Sequence, residues 1–224
     1  MLPRALEQTI EALGALPGVG SRTAERYGYY LFRANPKVSD AIIKSLQNLH
    51  SGVKSCPITF ALIDAEEDVS PLYSDPSRDK KSILVVEEPL DIYAIEQAKV
   101  FKGTYHVLGG AVSPIDGISP EQLHIKELIS RIEKDKAEEV IIATNPSVEG
   151  ESTALLLQKT LSEKFPKLKI TRLARGLPLG VDISYADQIT ISAAFENRTD
   201  IWQQTKYLYF ATGWVVKITT RKVL

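Results

Sequence analysis

Glu139-Val-Ile-Ile-Ala-Thr-Asn-Pro-Ser-Val-Glu-Gly-Glu151 passes from an apolar run through an acidic turn into a helix. Val140 to Ala143 reads as a strand covered on both faces, because it is apolar throughout and rich in β-branched residues. Asn145-Pro146 ends that strand, and Glu149-Gly150-Glu151 opens a helix that continues through Leu155 to Leu161. Asn145 and Ser147 are good turn and N-cap residues, so the turn needs nothing else to explain it.

Working outward, the same alternation of strand and helix extends from Ser82. Ile83 to Val86 reads as a strand, Pro89 to Lys99 as a helix with proline in its first turn, and Thr104 to Leu108 as a strand. Pro120 to Lys134 reads as one helix, Glu151 to Lys164 as another, and Lys169 to Leu173 as a closing strand. Repeated βα units of this kind predict an α/β fold with a parallel sheet and helices on both faces. Tyr185 to Asn197 reads as helical or mixed. The tail with Trp202, Tyr207, Tyr209, Phe210, Trp214 and Val215 alternates weakly like a strand.

The first fifty residues differ. Leu2, Leu6, Ile10 and Leu13 fall at helical spacing, a second helix runs from Ser21 through Phe32, and a third carries Ala41, Ile42, Leu46 and Leu49. Between them Leu16-Pro-Gly-Val-Gly20 breaks the chain. Residues 51–80 hold Pro57, Pro71, Pro76 and an acidic run from Asp64 to Asp68, which predicts an irregular connector with one short hairpin through Thr59 to Ile63.

Composition narrows the function. The chain has 224 residues, 44% of them hydrophobic and 25% charged, as in ordinary globular proteins. A net charge of −1 provides no global field for nucleic acid, so any DNA contact must be a local patch. A single cysteine, Cys56, rules out an intrachain disulfide and a cysteine-rich zinc site. No stretch has the length of a membrane span, and Met1 to Glu7 lacks the layout of a signal peptide, so the expected location is intracellular and reducing.

The turn Leu16-Pro-Gly-Val-Gly-Ser-Arg-Thr-Ala-Glu-Arg26 resembles the helix-hairpin-helix motif of DNA-binding proteins. Gly18 and Gly20 permit backbone shapes and close approaches that side chains forbid. The first N–H groups of the following helix face outward, where the helix dipole favours an anion. Arg22 and Arg26 lie one turn apart and share a face, so both reach the same phosphate backbone. Such contacts position DNA without reading its sequence. A tight turn that merely packs, with both arginines solvated, is the plainer alternative.

The segment from Glu139 to Glu151 resembles the second half of a Toprim domain, a module of topoisomerases and primases that holds a divalent metal. Catalytic members carry two aspartates where this chain has Asn145 and Ser147. An amide and a hydroxyl offer dipoles where Mg²⁺ prefers anionic oxygen, so a working metal cage is not expected. Val85-Val-Glu-Glu-Pro-Leu-Asp91 places carboxylates at the carboxyl end of the first strand, the usual ligand site of open α/β sheets. Glu87 matches the glutamate of the Toprim family. With the metal pair degraded, Glu87 and Glu88 read better as caps of the helix from Pro89, or as partner-binding groups. His106 to Gly117, with Gly109 and Gly110, lacks the Lys-Ser/Thr of a P-loop and reads as a structural loop, with His106 a core or loop histidine.

In order, the motifs Leu16 to Arg26, Tyr73 to Asp79, Val85 to Asp91, Tyr105 to Gly117, Ala143 to Glu151 and Ala174 to Gly180 resemble the RecR family of bacterial recombination mediators across residues 1–200. The resemblance implies a helix-hairpin-helix domain at 1–53, a degenerate zinc-finger region at 54–79, a Toprim domain at 80–176, and a carboxyl-terminal oligomerisation segment with the tail at 177–224. It implies a non-catalytic, cytoplasmic and nucleoid-associated clamp, a homo-oligomer (tetramer or dimer) on gapped DNA. RecO-like and RecF-like partners would help it promote RecA loading. Gly18, Gly20, Arg22 and Arg26 would meet DNA. Glu87, Asn145, Glu149 and Glu151 would face DNA or a partner. The family's four zinc cysteines fall at Cys56, Thr59 and near Ser70 and Tyr73, so zinc is expected to be absent and Ile58, Phe60, Leu72 and Tyr73 to supply a substitute core. Magnesium is not expected to be required. The competing class is a Toprim-type metal-dependent nuclease or primase-like enzyme.

Overall fold

The computed structural model describes residues 2–199, which fall into two compact units divided at Thr171 and Arg172. The expectations for Trp202 and the residues after it lie outside the described residues.

The first unit opens with α1 (Arg4–Gly14), α2 (Ser21–Arg33) and α3 (Pro36–Gly52). Helices α1 and α2 meet through small residues. Ala24 and Gly28 are buried one turn apart, and a methyl added at Gly28 would come within 2.8 Å of the Ile10 side chain. Asn35 caps α3 by accepting the Lys37 N–H at 3.0 Å, with Pro36 in the first helical position.

A small antiparallel ribbon follows, β1 (Val53–Ser55) paired with β2 (Leu62–Asp64), then a one-turn helix α4 (Pro71–Ser74). The hairpin expected through Thr59 to Ile63 therefore has its strands further apart. Residues 56–61 form the turn, because Cys56 N–H donates to Ala61 O and Phe60 N–H to Cys56 O.

The sheet contains β3 (Asp79–Val86), β4 (Gly103–Val107), β5 (Glu139–Ala143) and β6 (Lys169–Arg172) in the order β4-β3-β5-β6. β3 runs parallel to both β4 and β5. One face carries Ile83, Val85, Val140 and Ile142 against α6 (Ile125–Asp135) and α7 (Val148–Lys164), through Leu128, Ile132, Leu157 and Leu161. The other face carries Leu84, Val86, Tyr105 and Val107 against Ile92 of α5 (Pro89–Ala98) and against Phe60, Ala61 and Leu72 of the connector. β5 is less enclosed than its apolar run suggests. Val140 and Ile142 are buried, whereas Ile141 and Ala143 are half-buried.

The single helix expected over Pro120 to Lys134 is broken. Pro120–Gln122 is a 3₁₀ turn, and α6 starts only at Ile125. Leu123 is extended and buried, and His124 N–H donates to Leu108 O at 2.9 Å, so the core and the end of β4 take these residues from the helix. The second unit is slighter. A 3₁₀ turn (Ile183–Tyr185) leads to α8 (Gln188–Glu196), whose cap Asp187 accepts the Thr190 N–H at 2.9 Å.

The outer edge of β4 needs partners, since an open row of N–H and C=O groups invites mispairing. Val107 N–H donates to Thr59 O at 2.8 Å, Gly103 O accepts from Arg78 at 3.1 Å, and Tyr105 O accepts from Arg131. Arg131 is buried, pairs with Asp135 at 3.1 Å and also donates to Thr104 at 2.5 Å. We expect Arg131→Met to cost about 3–5 kcal/mol in urea unfolding, because it strands the buried Asp135 carboxylate. Lys81→Met, at the exposed pair with Glu138, should leave the midpoint unchanged.

Candidate nucleic-acid interface and the acidic strand end

The turn between α1 and α2 is built by local hydrogen bonds. Leu16 N–H donates to Leu13 O, Val19 N–H to Leu16 O, and Thr23 and Ala24 N–H both to Gly20 O. Gly18 sits at φ +77, a left-handed value that favours glycine. Gly20 does not; its φ of −76 and ψ of 167 are ordinary extended backbone. Of the two properties expected of it, the special backbone shape is not used. As N-cap it has no side chain to occupy the first amides of α2, and a Cβ there would meet only open space. The first-turn N–H groups of Ser21 and Arg22 have no intrahelical acceptor and lie at the positive end of the helix. Arg22 and Arg26 are both exposed one turn apart. The structure thus places Gly18 and Gly20 in the turn, and Arg22 and Arg26 exposed on the first two turns of the helix that follows.

At the carboxyl end of the sheet, β3 and β5 are neighbours, which brings Glu87 and Asn145 together. Asn145 donates its backbone N–H to Glu87 Oε1 at 2.9 Å and its side-chain amide to Glu87 Oε2 at 2.6 Å. Glu87 is buried, and both its oxygens are occupied. The expected helix cap falls to Glu88 alone, whose N–H donates to Asp91 Oδ2 at 2.9 Å. Ser147 caps α7 by accepting the Gly150 N–H at 3.0 Å, which starts that helix at Val148. Glu149 and Glu151 are half-buried in its first turn, where the dipole favours carboxylates. Gly150 is obligatory, since a methyl would fall on Asn145 O and within 2.8 Å of Glu87 Oε1. The donor set does not suit Mg²⁺, because an amide already occupies the carboxylate that a cation would need.

The glycine loop is tied down from within. Ser113 pairs with Ile118, the Ser113 hydroxyl donates to Asp116 at 2.7 Å, and Val112 N–H donates to Thr153 of α7 at 2.9 Å. His106 is fully buried. Its Nε2 donates to His124 O at 2.8 Å, which leaves Nδ1 a buried acceptor without a partner. Phe60, at the unusual φ of +59, stacks on His124 at 3.7 Å and meets His106 edge-on at 5.6 Å.

The connector's Cys56, Thr59, Ser70 and Tyr73 are all buried. Cys56 Sγ accepts N–H groups from Thr59 at 3.4 Å and Ser70 at 3.2 Å. Burial opposes the thiolate, but these donors outweigh it and hold the thiol below its ordinary pKa. Tyr73 donates to Asp135 at 2.9 Å, and burial followed by that bond raises its phenol. One thiol and three hydroxyl groups do not fit structural zinc. Among the described residues no group of three or more His, Cys, Asp or Glu could hold a metal. Of the substitute core expected here, Tyr73 is buried and Phe60 and Leu72 pack on the sheet, Ile58 is only half-buried and lies outside that cluster, and Ala61, not anticipated, is buried in it.

A glycine hairpin between two helices, followed by a parallel sheet whose terminal glutamate is bound by an amide, defines a protein of the helix-hairpin-helix and Toprim class. Comparison with known families agrees. Residues 81–174 match the Toprim domain, residues 6–50 the RecR helix-hairpin-helix, and residues 176–199 the RecR C-terminal region. "Recombination protein RecR" of Moorella thermoacetica is 45% identical over 199 residues, covering 89% of this chain and 98% of that one. The protein of the same name from Thermobifida fusca is 43% identical over 198 residues, with 88% and 98% covered. The chain belongs to the RecR family. Among the described residues no helix is long and apolar enough to cross a membrane.

Asn145→Asp would set two carboxylates face to face. It should lower the melting temperature at pH 7.5 and recover as pH falls toward 5, since one acid then stays protonated. Added Mg²⁺ should restore part of the loss at pH 7.5. A second prediction concerns His106, whose burial pushes its pKa down to about 3. The unfolded chain takes up this proton near its ordinary value of about 6.5, so stability is full above that pH and falls below it, by up to about 1.4 kcal/mol per pH unit. Denaturant titrations at pH 7 and pH 5 should show this drop, and His106→Asn should flatten it.

Proposed function

We propose that this chain is a non-catalytic, DNA-binding recombination mediator that works as a closed oligomer. The name carried by its relatives, "Recombination protein RecR", supports the role. The observation that carries the non-catalytic part is the Glu87 carboxylate, whose two oxygens already accept from Asn145. Phosphoryl chemistry needs a cation to neutralise developing charge, and the carboxylate that would hold one is engaged by the Asn145 amides. DNA is held at the hairpin by backbone amides and by Arg22 and Arg26, without sequence preference.

The oligomer forms through the amino-terminal helices. An apolar groove of about 380 Å³ is lined by Leu6, Leu31, Phe32, Ile42 and Ile43, and α3 has no buried residue. Ile42, Ile43, Leu46 and Leu49 are exposed there, a surface suited to a second copy. RecO-like and RecF-like proteins are the partners, with Glu149 and Glu151 at the docking end, and the outcome is RecA loading on gapped DNA in the cytoplasm, at the nucleoid. Neither zinc nor magnesium is required.

Duplex binding should be insensitive to sequence and fall steeply with salt. Arg22→Ala with Arg26→Ala should flatten the log–log salt slope by about 2, and reversal of both to Glu should abolish the mobility shift. Purified protein should contain no stoichiometric zinc by elemental analysis and melt identically with and without chelator. Mg²⁺-dependent cleavage of DNA that is lost in Glu87→Gln would establish the enzymatic alternative instead.

A further inference from the structure

Helix α2 carries more than the two hairpin arginines. Four of the six residues from Tyr27 to Phe32 are aromatic, all four exposed. Aromatic residues are indifferent helix formers, and exposed rings gain little from burial, so the cluster calls for a ligand. At about 100° per residue, Tyr29, Arg22, Arg33, Arg26 and Tyr30 fall within an arc of about 100° on one side of the helix. The opposite side presents Ala24, Gly28 and Leu31 to its neighbours. Tyr29 and Tyr30 are 54% and 60% exposed. Guanidinium groups flank the rings: Arg33 lies 5.8 Å from the Tyr29 centroid and Arg26 lies 5.6 Å from that of Tyr27.

We infer that this face of α2 is a stacking platform for the unpaired bases of single-stranded DNA, with Tyr29 and Tyr30 under the bases and Arg22, Arg26 and Arg33 on the flanking phosphates. The inference rests on the phosphate-binding reading of the hairpin and extends that surface along the helix by about 16 Å, from Arg22 to Arg33. Charge decides the occupant. Three arginines favour a polyanion, and Glu25 at the margin is the one acid of the helix. A protein partner is better served by the aliphatic groove on the other side, where Leu6, Ile42 and Ile43 gather. In a duplex the base faces are covered, so the rings serve only strands whose bases are free.

The full chain can be titrated with fluorescent oligo(dT), with an abasic strand of the same length, and with duplex. Tyr29→Ala/Tyr30→Ala should weaken oligo(dT) binding roughly 10–100-fold and leave the abasic strand and the duplex within about 3-fold of wild type. Tyr29→Phe/Tyr30→Phe should bind like wild type, because the ring and not the hydroxyl does the stacking. The platform is overturned if the alanine pair binds oligo(dT) normally, loses all three ligands equally, or changes the native mass by light scattering. Arg22→Glu/Arg26→Glu reports separately on the hairpin: normal binding by that pair sinks the phosphate reading whatever the tyrosines do. A wild-type chain that binds none of the three ligands overturns both.

Discussion

A buried carboxylate must be answered by charge or by hydrogen bonds, and in this fold Glu87 is answered by Asn145. The two N–H donors come from one residue, so the clamp fixes backbone and side chain together. Much depends on it. It joins the ends of the two central strands and sets the turn from which Ser147 caps α7. It also brings Glu87 so close to Gly150 that no side chain fits there. Through α7, Thr153 then holds the glycine loop by the Val112 amide. The Asn145 amide thus holds the two strand ends together through hydrogen bonds to both carboxylate oxygens.

The connector obeys the same constraint by different means. Cys56, Thr59, Ser70 and Tyr73 are packed inside, so their polar atoms need partners within the protein. The thiol takes N–H groups from Thr59 and Ser70, and the phenol is anchored on Asp135, which also holds Arg131. Arg131 lies 5.0 Å from the Tyr73 ring centroid and reaches the outer edge of β4. The connector therefore closes the sheet edge and covers one face of the core, which gives so short a segment a structural purpose independent of metal.

Helices and strands were legible in the sequence wherever one local rule acted alone. Pro89 began a helix, and the apolar runs at Ile83 and Val140 became strands. The reading failed where a distant partner took over. Glu87 next to Pro89 reads as a helix cap, yet its acceptors go to a residue 58 positions away. Leu123 and His124 read as helix interior, yet burial holds Leu123 extended and the end of β4 takes the His124 amide. Gly20 reads as a position of special backbone shape as well as close approach, but its backbone is ordinary and extended. Of the candidate site, the hairpin was readable because its residues are contiguous. The roles of Asn145 and Gly150 were half readable, because residue type marked the turn and the cap without naming Glu87 as the partner.

A net charge of −1 says little about the fields that a partner of either sign meets at the surface. At an ionic strength near 0.15 M, charges further apart than about 8 Å are largely screened, so the global balance matters little and the local one governs. Helix α2 supplies that balance by dividing its circumference. Small residues let α1 approach, aliphatic residues line a groove, and arginines with tyrosines take the solvent side. Carboxylates cluster instead around the carboxyl ends of β3 and β5, at Glu87, Glu88, Asp91, Glu149 and Glu151. Arginines and carboxylates are thus carried by different elements of the chain, and at this ionic strength each group, rather than the net charge, sets its own local field.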